Sequence, residues 1–255
     1  MSLKSIELKK LYQKGSKHSN YQILSTRLNQ IIGNNEIDVK TRYESERLSY
    51  IIKSIEIKDK TILDIGGNTG FFSFELIENG AEKLYYYEGN KAHAEFVQLA
   101  ADVLNVTNQI STTNDYYKFE NEFINVKFDI ILLLNVLHHV GDDYDDQQLT
   151  INNAKLNILK QLNSLAYKTK HIVFQLGFNW KGDRNLGLFE NGTKKELINF
   201  IIEGVNGYWD VEKIGIAENA NGKIEYLDLN EDNIKRIDSM GEFLNRPIFI
   251  LKSIV

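Results

Sequence analysis

Thr61-Ile62-Leu63-Asp64-Ile65-Gly66-Gly67-Asn68-Thr69-Gly70-Phe71-Phe72-Ser73-Phe74-Glu75-Leu76 is the stretch on which the reading of this 255-residue chain turns. Ile62, Leu63 and Ile65 predict a buried strand. Gly66, Gly67, Asn68 and Gly70 then form a turn, and Phe71, Phe72, Phe74, Leu76 and Ile77 open an apolar helix. Strand, glycine turn and helix in that order favour a nucleotide-type ligand. Missing side chains let such a ligand approach backbone N–H groups at a helix N-terminus.

Outward from this stretch the elements alternate as a parallel sheet flanked by helices requires. Residues 1–40 read as a polar helical extension with a break at Lys14-Gly15-Ser16, and 41–255 as the main domain. An amphipathic helix is expected over 41–55, carrying Tyr43, Leu48, Ile51, Ile52 and Ile55. Strands are expected at Thr61–Ile65, Lys83–Tyr87, Gln109–Thr113, Phe128–Leu134, His171–Gly177, Trp209–Ile216 and Pro247–Ser253. The near-continuous apolar run at 128–134 marks a central strand buried on both faces. Helices are expected at Phe71–Asn79, Lys91–Leu104, Asp146–Tyr167 and Lys194–Glu203. Glu218–Leu244 reads as an extended connection, partly helical around Glu231–Ser239.

Composition narrows the function. With 42% apolar and 11% aromatic residues the chain can bury a sizeable core. Its 30 basic and 35 acidic residues give a net charge of −5, without the basic face of a dedicated nucleic-acid binder, so nucleic acid is an unfavoured partner. The absence of cysteine excludes disulfides, thiolate metal sites and cysteine nucleophiles. The longest apolar run, Phe128 to Leu137, is too short for a bilayer. Lys4, Lys9 and Lys10 interrupt any N-terminal apolar stretch of the signal-peptide kind. The expectation is a soluble cytoplasmic α/β protein.

The glycine segment resembles motif I of the class I S-adenosylmethionine (SAM)-dependent methyltransferases. That resemblance implies a Rossmann-like, seven-stranded, mostly parallel sheet with an antiparallel terminal strand beside the fifth, and SAM as cofactor. The only proline, Pro247, sits at the start of that terminal strand, where a missing N–H is tolerated. The usual family glycines fall at Gly66, Asn68 and Gly70, so Asn68 departs from the pattern, though asparagine tolerates positive φ. Asp64 stands where the family places an acid near the cofactor's ammonium. Glu88 ends the second strand, 22 residues after Gly66, where a carboxylate accepts from ribose hydroxyls. Asn114 and Asp115 match the region that contacts the adenine. A dinucleotide fingerprint, Gly-x-Gly-x-x-Gly, fails in both frames: from Gly66 it meets Asn68 and Phe71, and from Gly67 it meets Thr69 and Phe72.

On the acceptor side, Asn135-Val136-Leu137-His138-His139-Val140 resembles motif IV of small-molecule methyltransferases. Methyl transfer is an in-line displacement on a sulfonium, so alignment dominates. A hydroxyl acceptor also gains from proton removal, which nominates His138 or His139 as general base. The alternative is that one or both only pack. Asn135 is expected to shape the cofactor pocket. The acidic loop Asp142, Asp143, Asp145 and Asp146 has the oxygen ligands of a Mg²⁺ or Ca²⁺ site, but a solvated helix-capping loop is the preferred reading and no metal is assigned. Arg42, beside Tyr43 and Arg47, is a candidate clamp on the methionine carboxylate; the alternative is a solvated basic face beside Glu44 and Glu46. Trp180 and Arg184 are candidate acceptor contacts, with ordinary loop packing an equal alternative for Trp180. His18 is expected at the surface, and His93 and His171 receive no role.

A narrower resemblance joins Lys17-His18-Ser19-Asn20-Tyr21-Gln22, Arg42-Tyr43-Glu44-x-x-Arg47 and the glycine segment to methyltransferases of bacterial surface-polysaccharide gene clusters. It implies O-methylation of a small molecule, sugar or glycan. The alternatives are an RNA methyltransferase, including those that alter tRNA wobble uridines, and a non-catalytic SAM-binding protein.

Overall fold

The computed structural model describes residues 3–14, 21–33, 39, 41–119 and 126–255. Gly15, Ser16 and the Lys17–Asn20 part of the narrower resemblance, His18 included, lie outside them. The chain divides into two compact units, Met1–Leu48 with Ile55–Tyr117, and Ser49–Ser54 with Lys118–Val255.

The first unit holds α1 (Leu3–Gln13), α2 (Thr26–Ile32), the first half of α3 (Glu44–Ser54), β1 (Thr61–Ile65), α4 (Phe71–Glu78), β2 (Lys83–Tyr87), α5 (Lys91–Val103) and β3 (Ile110–Thr113). Its strands are parallel in the order β3-β2-β1, with Thr61 opposite Lys83 and Leu84 opposite Ile110. Every residue of α4 from Phe71 to Ile77 is buried, as in a core helix, with Ser73 and Glu75 hydrogen-bonded to Asp64 and the Thr26 N–H, respectively, among the apolar side chains. Asn90 starts α5 by accepting from the Ala92 and His93 N–H groups at 2.9 and 3.3 Å. Tyr12 of α1 meets Phe96 of α5 edge-on, with ring centroids 5.8 Å apart.

The second unit holds the remainder of α3, β4 (Phe128–Leu134), α6 (Ile151–Ser164), β5 (Thr169–Gln175), α7 (Lys194–Gly204), β6 (Trp209–Ala220), β7 (Lys223–Asp228), α8 (Gly241–Leu244) and β8 (Ile248–Ser253). Its strand order is β4-β5-β8-β6-β7. The β4–β5 pair is parallel and all later pairs are antiparallel. The terminal strand therefore lies antiparallel beside the fifth, as expected, with Pro247 just before it.

Three expectations are corrected here. Strands number eight among the described residues, because β6 runs on to Ala220 and a hairpin adds β7. Its turn is Asn221-Gly222, with φ of +55° and +87°, the two-residue geometry that matches strand twist. Glu231–Ser239 forms no α-helix; turns lead to a short 3₁₀ segment at Asp238–Met240. Finally, α6 starts only at Ile151, where the Thr150 hydroxyl accepts the Asn153 N–H.

Candidate functional site

In the first unit, Gly66, Asn68 and Gly70 adopt φ of +70°, +52° and +77°. The asparagine thus takes the left-handed place where the family has glycine. Gly67 serves space instead: a Cβ there would stand 2.6 Å from the Tyr86 ring and 2.8 Å from Asp64 Oδ2.

The expected row of N–H groups open to a ligand is not what the turn presents. Gly66 and Gly67 both donate to the Tyr87 carbonyl, Asn68 to Glu88 Oε2, Thr69 to Asn68 Oδ1, Gly70 to the Gly67 carbonyl and Phe71 to Gln22 Oε1. All six donors from Gly66 to Phe71 have protein acceptors. A pyrophosphate would have to displace them.

The charge around the turn is negative. Glu88 is half-buried at the end of β2, its Oε2 accepting from Asn68 at 2.9 Å and its Oε1 from the Asn90 N–H at 2.8 Å. Asp64 is 4% exposed and accepts from the Ser73 hydroxyl at 2.6 Å. Burial pushes its carboxyl up to about 7 from 3.8; Ser73 opposes the rise and Glu88 adds to it. Between those values the folded state holds a proton that the unfolded chain has released, so this group costs stability as pH rises through the window. Asp64→Asn is expected to raise the melting temperature of the ligand-free protein more at about pH 8 than at about pH 5. A gain that is equal at both values in parallel thermal scans would contradict the assignment.

Asn114 donates its amide to the Glu88 and Gly89 carbonyls at 2.9 and 3.3 Å. Asp115, exposed, accepts the Tyr116 N–H. Arg42 and Tyr43 precede α3 rather than lying on it, Tyr43 with φ of +56°. The Arg42 guanidinium sits 4.8 Å from the Tyr21 ring centroid. The solvated basic face considered from the sequence is overturned at two positions. Glu44 is fully buried, taking the Thr41 hydroxyl and the Arg42 N–H, and Arg47 is 4% exposed. Arg47 pairs with Glu44 at 3.7 Å and lies over Phe72, 4.9 Å from its centroid. Burial raises the Glu44 carboxyl, and the Arg47 charge only partly offsets it.

Gln22 was missed by sequence reasoning. Its Oε1 takes the Phe71 N–H at 2.9 Å and the Thr69 hydroxyl at 3.2 Å, filling the mouth of α4 from a residue 49 positions away. No local pattern marks such a long-range cap.

In the second unit, Asn135 follows β4 in a left-handed conformation, φ +63°. Its amide donates to Gln175 Oε1 at 2.8 Å, and its Oδ1 accepts from Arg246 Nη1 at 2.7 Å. Arg246 also forks onto Glu242, and Glu242 Oε1 takes the Phe178 N–H at 3.1 Å. Asn135 is thus a braced strand end. Leu137–His139 forms a 3₁₀ turn after it, with the two imidazole centroids 4.3 Å apart. Of the two roles open to Trp180, acceptor contact or loop packing, the structure supports packing. Trp180 is 6% exposed and its Nε1 donates to the Val140 carbonyl at 2.7 Å, so it packs the histidine turn in place. Arg184 is exposed.

This architecture is a Rossmann-like α/β fold shared with solved methyltransferases. Among solved structures, the bifunctional kinase-methyltransferase WbdD aligns with a TM-score of 0.59 at 15% identity, over 96% of this chain and 46% of its own. The magnesium protoporphyrin IX methyltransferase of Synechocystis PCC 6803, solved with SAM bound, aligns with a TM-score of 0.51 at 11% identity, over 98% and 91%. Curated relatives are tRNA U34 carboxymethyltransferases. That of Campylobacter lari is 25% identical over 181 residues, 68% of this chain and 55% of the relative. That of Aliarcobacter butzleri is 25% identical over 112 residues, 42% and 34%. The matched stretches span about half and a third of those relatives. No family model matches the chain. Among the described residues no helix is long and apolar enough to cross a membrane.

Proposed function

We propose that this protein is a SAM-dependent methyltransferase acting on a hydroxyl of a small-molecule or glycan acceptor. The observation that carries the cofactor is the donor and charge balance of the β1–α4 turn. Its six N–H groups are spoken for within the protein, and two carboxylates, Asp64 and Glu88, stand beside it. Such a set suits a cationic ligand with hydroxyls and does not suit a pyrophosphate.

SAM supplies a methyl group activated on a sulfonium. In this reading Glu88 accepts from the ribose hydroxyls, Asn114 and Asp115 meet the adenine, and Asp64 balances the cofactor's positive charge. Gly66, Gly67, Asn68 and Gly70 shape the turn that receives it. Arg42 is the candidate partner of the methionine carboxylate, and Asn135, braced by Gln175 and Arg246, is the candidate for shaping the cofactor pocket. A histidine of the Leu137–His139 turn takes the proton from the acceptor hydroxyl as its oxygen attacks.

The second reading, tRNA modification, draws on the names of the curated relatives at 25% identity. Transfer of labelled methyl from SAM to sugar, nucleotide-sugar and tRNA acceptors separates the two. Label in a sugar hydroxyl is the expected result. Label confined to tRNA, with an affinity that falls steeply between about 50 and 200 mM salt, would overturn the glycan reading. SAM bound with transfer to none of them would leave a non-catalytic SAM-binding protein.

A further inference from the structure

The two neighbouring histidines sit in unlike surroundings. His138 is 3% exposed. Its ring lies against Gly177, where a Cβ would come within 3.0 Å of it, and the Gly177 N–H donates to Nδ1 from 3.4 Å. An Nδ1 that accepts puts the neutral ring's proton on Nε2, which makes His138 a donor. Taking a second proton there would bury a cation.

His139 is more open, its side chain 18% exposed, and carboxylates face it. Nδ1 lies 3.4 Å from Asp143 Oδ2 and 3.8 Å from Asp142 Oδ2. The fold imposes this arrangement. The Asp142 and Asp143 N–H groups both donate to the His139 carbonyl, at 2.9 and 3.2 Å, and Gly141 turns the chain with φ of +79°. Trp180 pins the turn through Val140, and Gly182 leaves room beside His139 Cε1. Other titratable groups of this loop and of the Trp180 turn have contacts of their own. Tyr144 stays protonated, because burial and the charges of Asp145 and Asp143 push its phenol up. Asp145 accepts from Asn157 and Gln161. Lys181 lies over the Trp180 ring at 4.5 Å and donates to the Gln147 carbonyl.

We propose that His139 is the general base and Asp143 its positioning residue, with His138 a packing ring. A carboxylate against Nδ1 fixes the proton on that nitrogen and turns the Nε2 lone pair outward. In the reaction the acceptor oxygen forms its bond to the methyl carbon, the C–S bond breaks to give the neutral thioether, and the acceptor's proton passes to His139 Nε2. The 3.4 Å separation is looser than a formed hydrogen bond; contacts of this kind tighten when substrate arrives. This assignment rests on the methyl-transfer reading above.

Long-range ¹⁵N–¹H spectra of the uniformly labelled full chain test it without an acceptor, with His139→Gln and His138→Gln supplying the assignments. The expected result is Nδ1–H for neutral His139 and Nε2–H for His138. Asp143→Asn should lower the His139 titration midpoint by about one pH unit, and Asp143→Glu should restore it. Nε2–H at His139, or a midpoint unmoved by Asp143→Asn, overturns the proposal. The ligand atoms of His139, Asp142 and Asp143 lie within 4.8 Å of one another, so MnCl₂ is titrated as well. Micromolar, Asp143-dependent broadening of the His139 signals would mark a cation site and overturn the base assignment. A SAM titration on the same sample separates the two readings. No SAM binding removes the reaction, whereas SAM binding with the wrong tautomer removes only the dyad.

Discussion

Glu88→Ala is expected to weaken SAM binding by about 1.5–3 kcal/mol, roughly a tenfold to hundredfold rise in Kd. The carboxylate does two things at once. Each oxygen holds one backbone N–H, from Asn68 on the glycine turn and from Asn90 at the start of α5. Each also keeps lone-pair capacity for a ribose hydroxyl, since an ionised carboxylate offers about four acceptor sites. Alanine removes the ribose acceptors and leaves two half-buried donors looking for water. Glu88→Gln keeps the size but turns an NH₂ group toward one of those donors, so it should recover little. Calorimetric titration of the folded variants checks this, and an unchanged SAM affinity would remove Glu88 from the cofactor site.

Arg246→Ala is expected to lower global stability by about 2 kcal/mol, between the values for exposed and fully buried ion pairs because this pair is partly buried. The Arg246 and Glu242 side chains are 13% and 27% exposed. The guanidinium joins Glu242 to Asn135 Oδ1, and its residue's carbonyl accepts from Gln175, which is fully buried. Lysine carries the charge without the planar fork, so Arg246→Lys should remain destabilised. The defect depends on pH in a defined direction. Burial alone raises the Glu242 carboxyl, but the Arg246 charge and hydrogen bonds, with the Phe178 N–H, hold it below its ordinary value of 4.5. A depressed carboxyl contributes stability above the unfolded value and loses it as pH falls through the folded one. The gap between wild type and Arg246→Ala should therefore narrow below about pH 4.5. Urea unfolding at several pH values measures it. A deficit under about 1 kcal/mol at neutral pH would show that the network is solvated rather than structural.

The elements read most accurately were those whose signal is local. Phe128–Leu134 and Lys83–Tyr87 stand within the residues expected, because a buried parallel strand reads as an apolar run and ends where polarity returns. The β6–β7 hairpin was overlooked although Asn221-Gly222 signals it, since Glu218, Asn219, Lys223 and Glu225 make both flanks look like loop. That polarity belongs to a strand exposed on one face; Ile224 and Tyr226 are its buried residues. In the site, Asp64, Glu88 and Asn68 were legible from spacing around one turn. The filling of that turn's N–H groups was not, because Gln22 and the Tyr87 carbonyl arrive by tertiary packing. The difference between His138 and His139 is also invisible in sequence. It comes from Gly177 against one ring and from a backbone turn that folds Asp143 back onto the other. Arg246 reads as an unremarkable residue before Pro247, and only strand order gives it Asn135 as a partner.

The cofactor claim is tested most directly by calorimetric titration of the purified protein with SAM, S-adenosylhomocysteine and NAD in parallel. Micromolar binding of both adenosyl ligands, with no heat from NAD, is the predicted result. NAD binding, or silence from SAM in a protein shown to be folded, would contradict it and take the methyl-transfer reading with it.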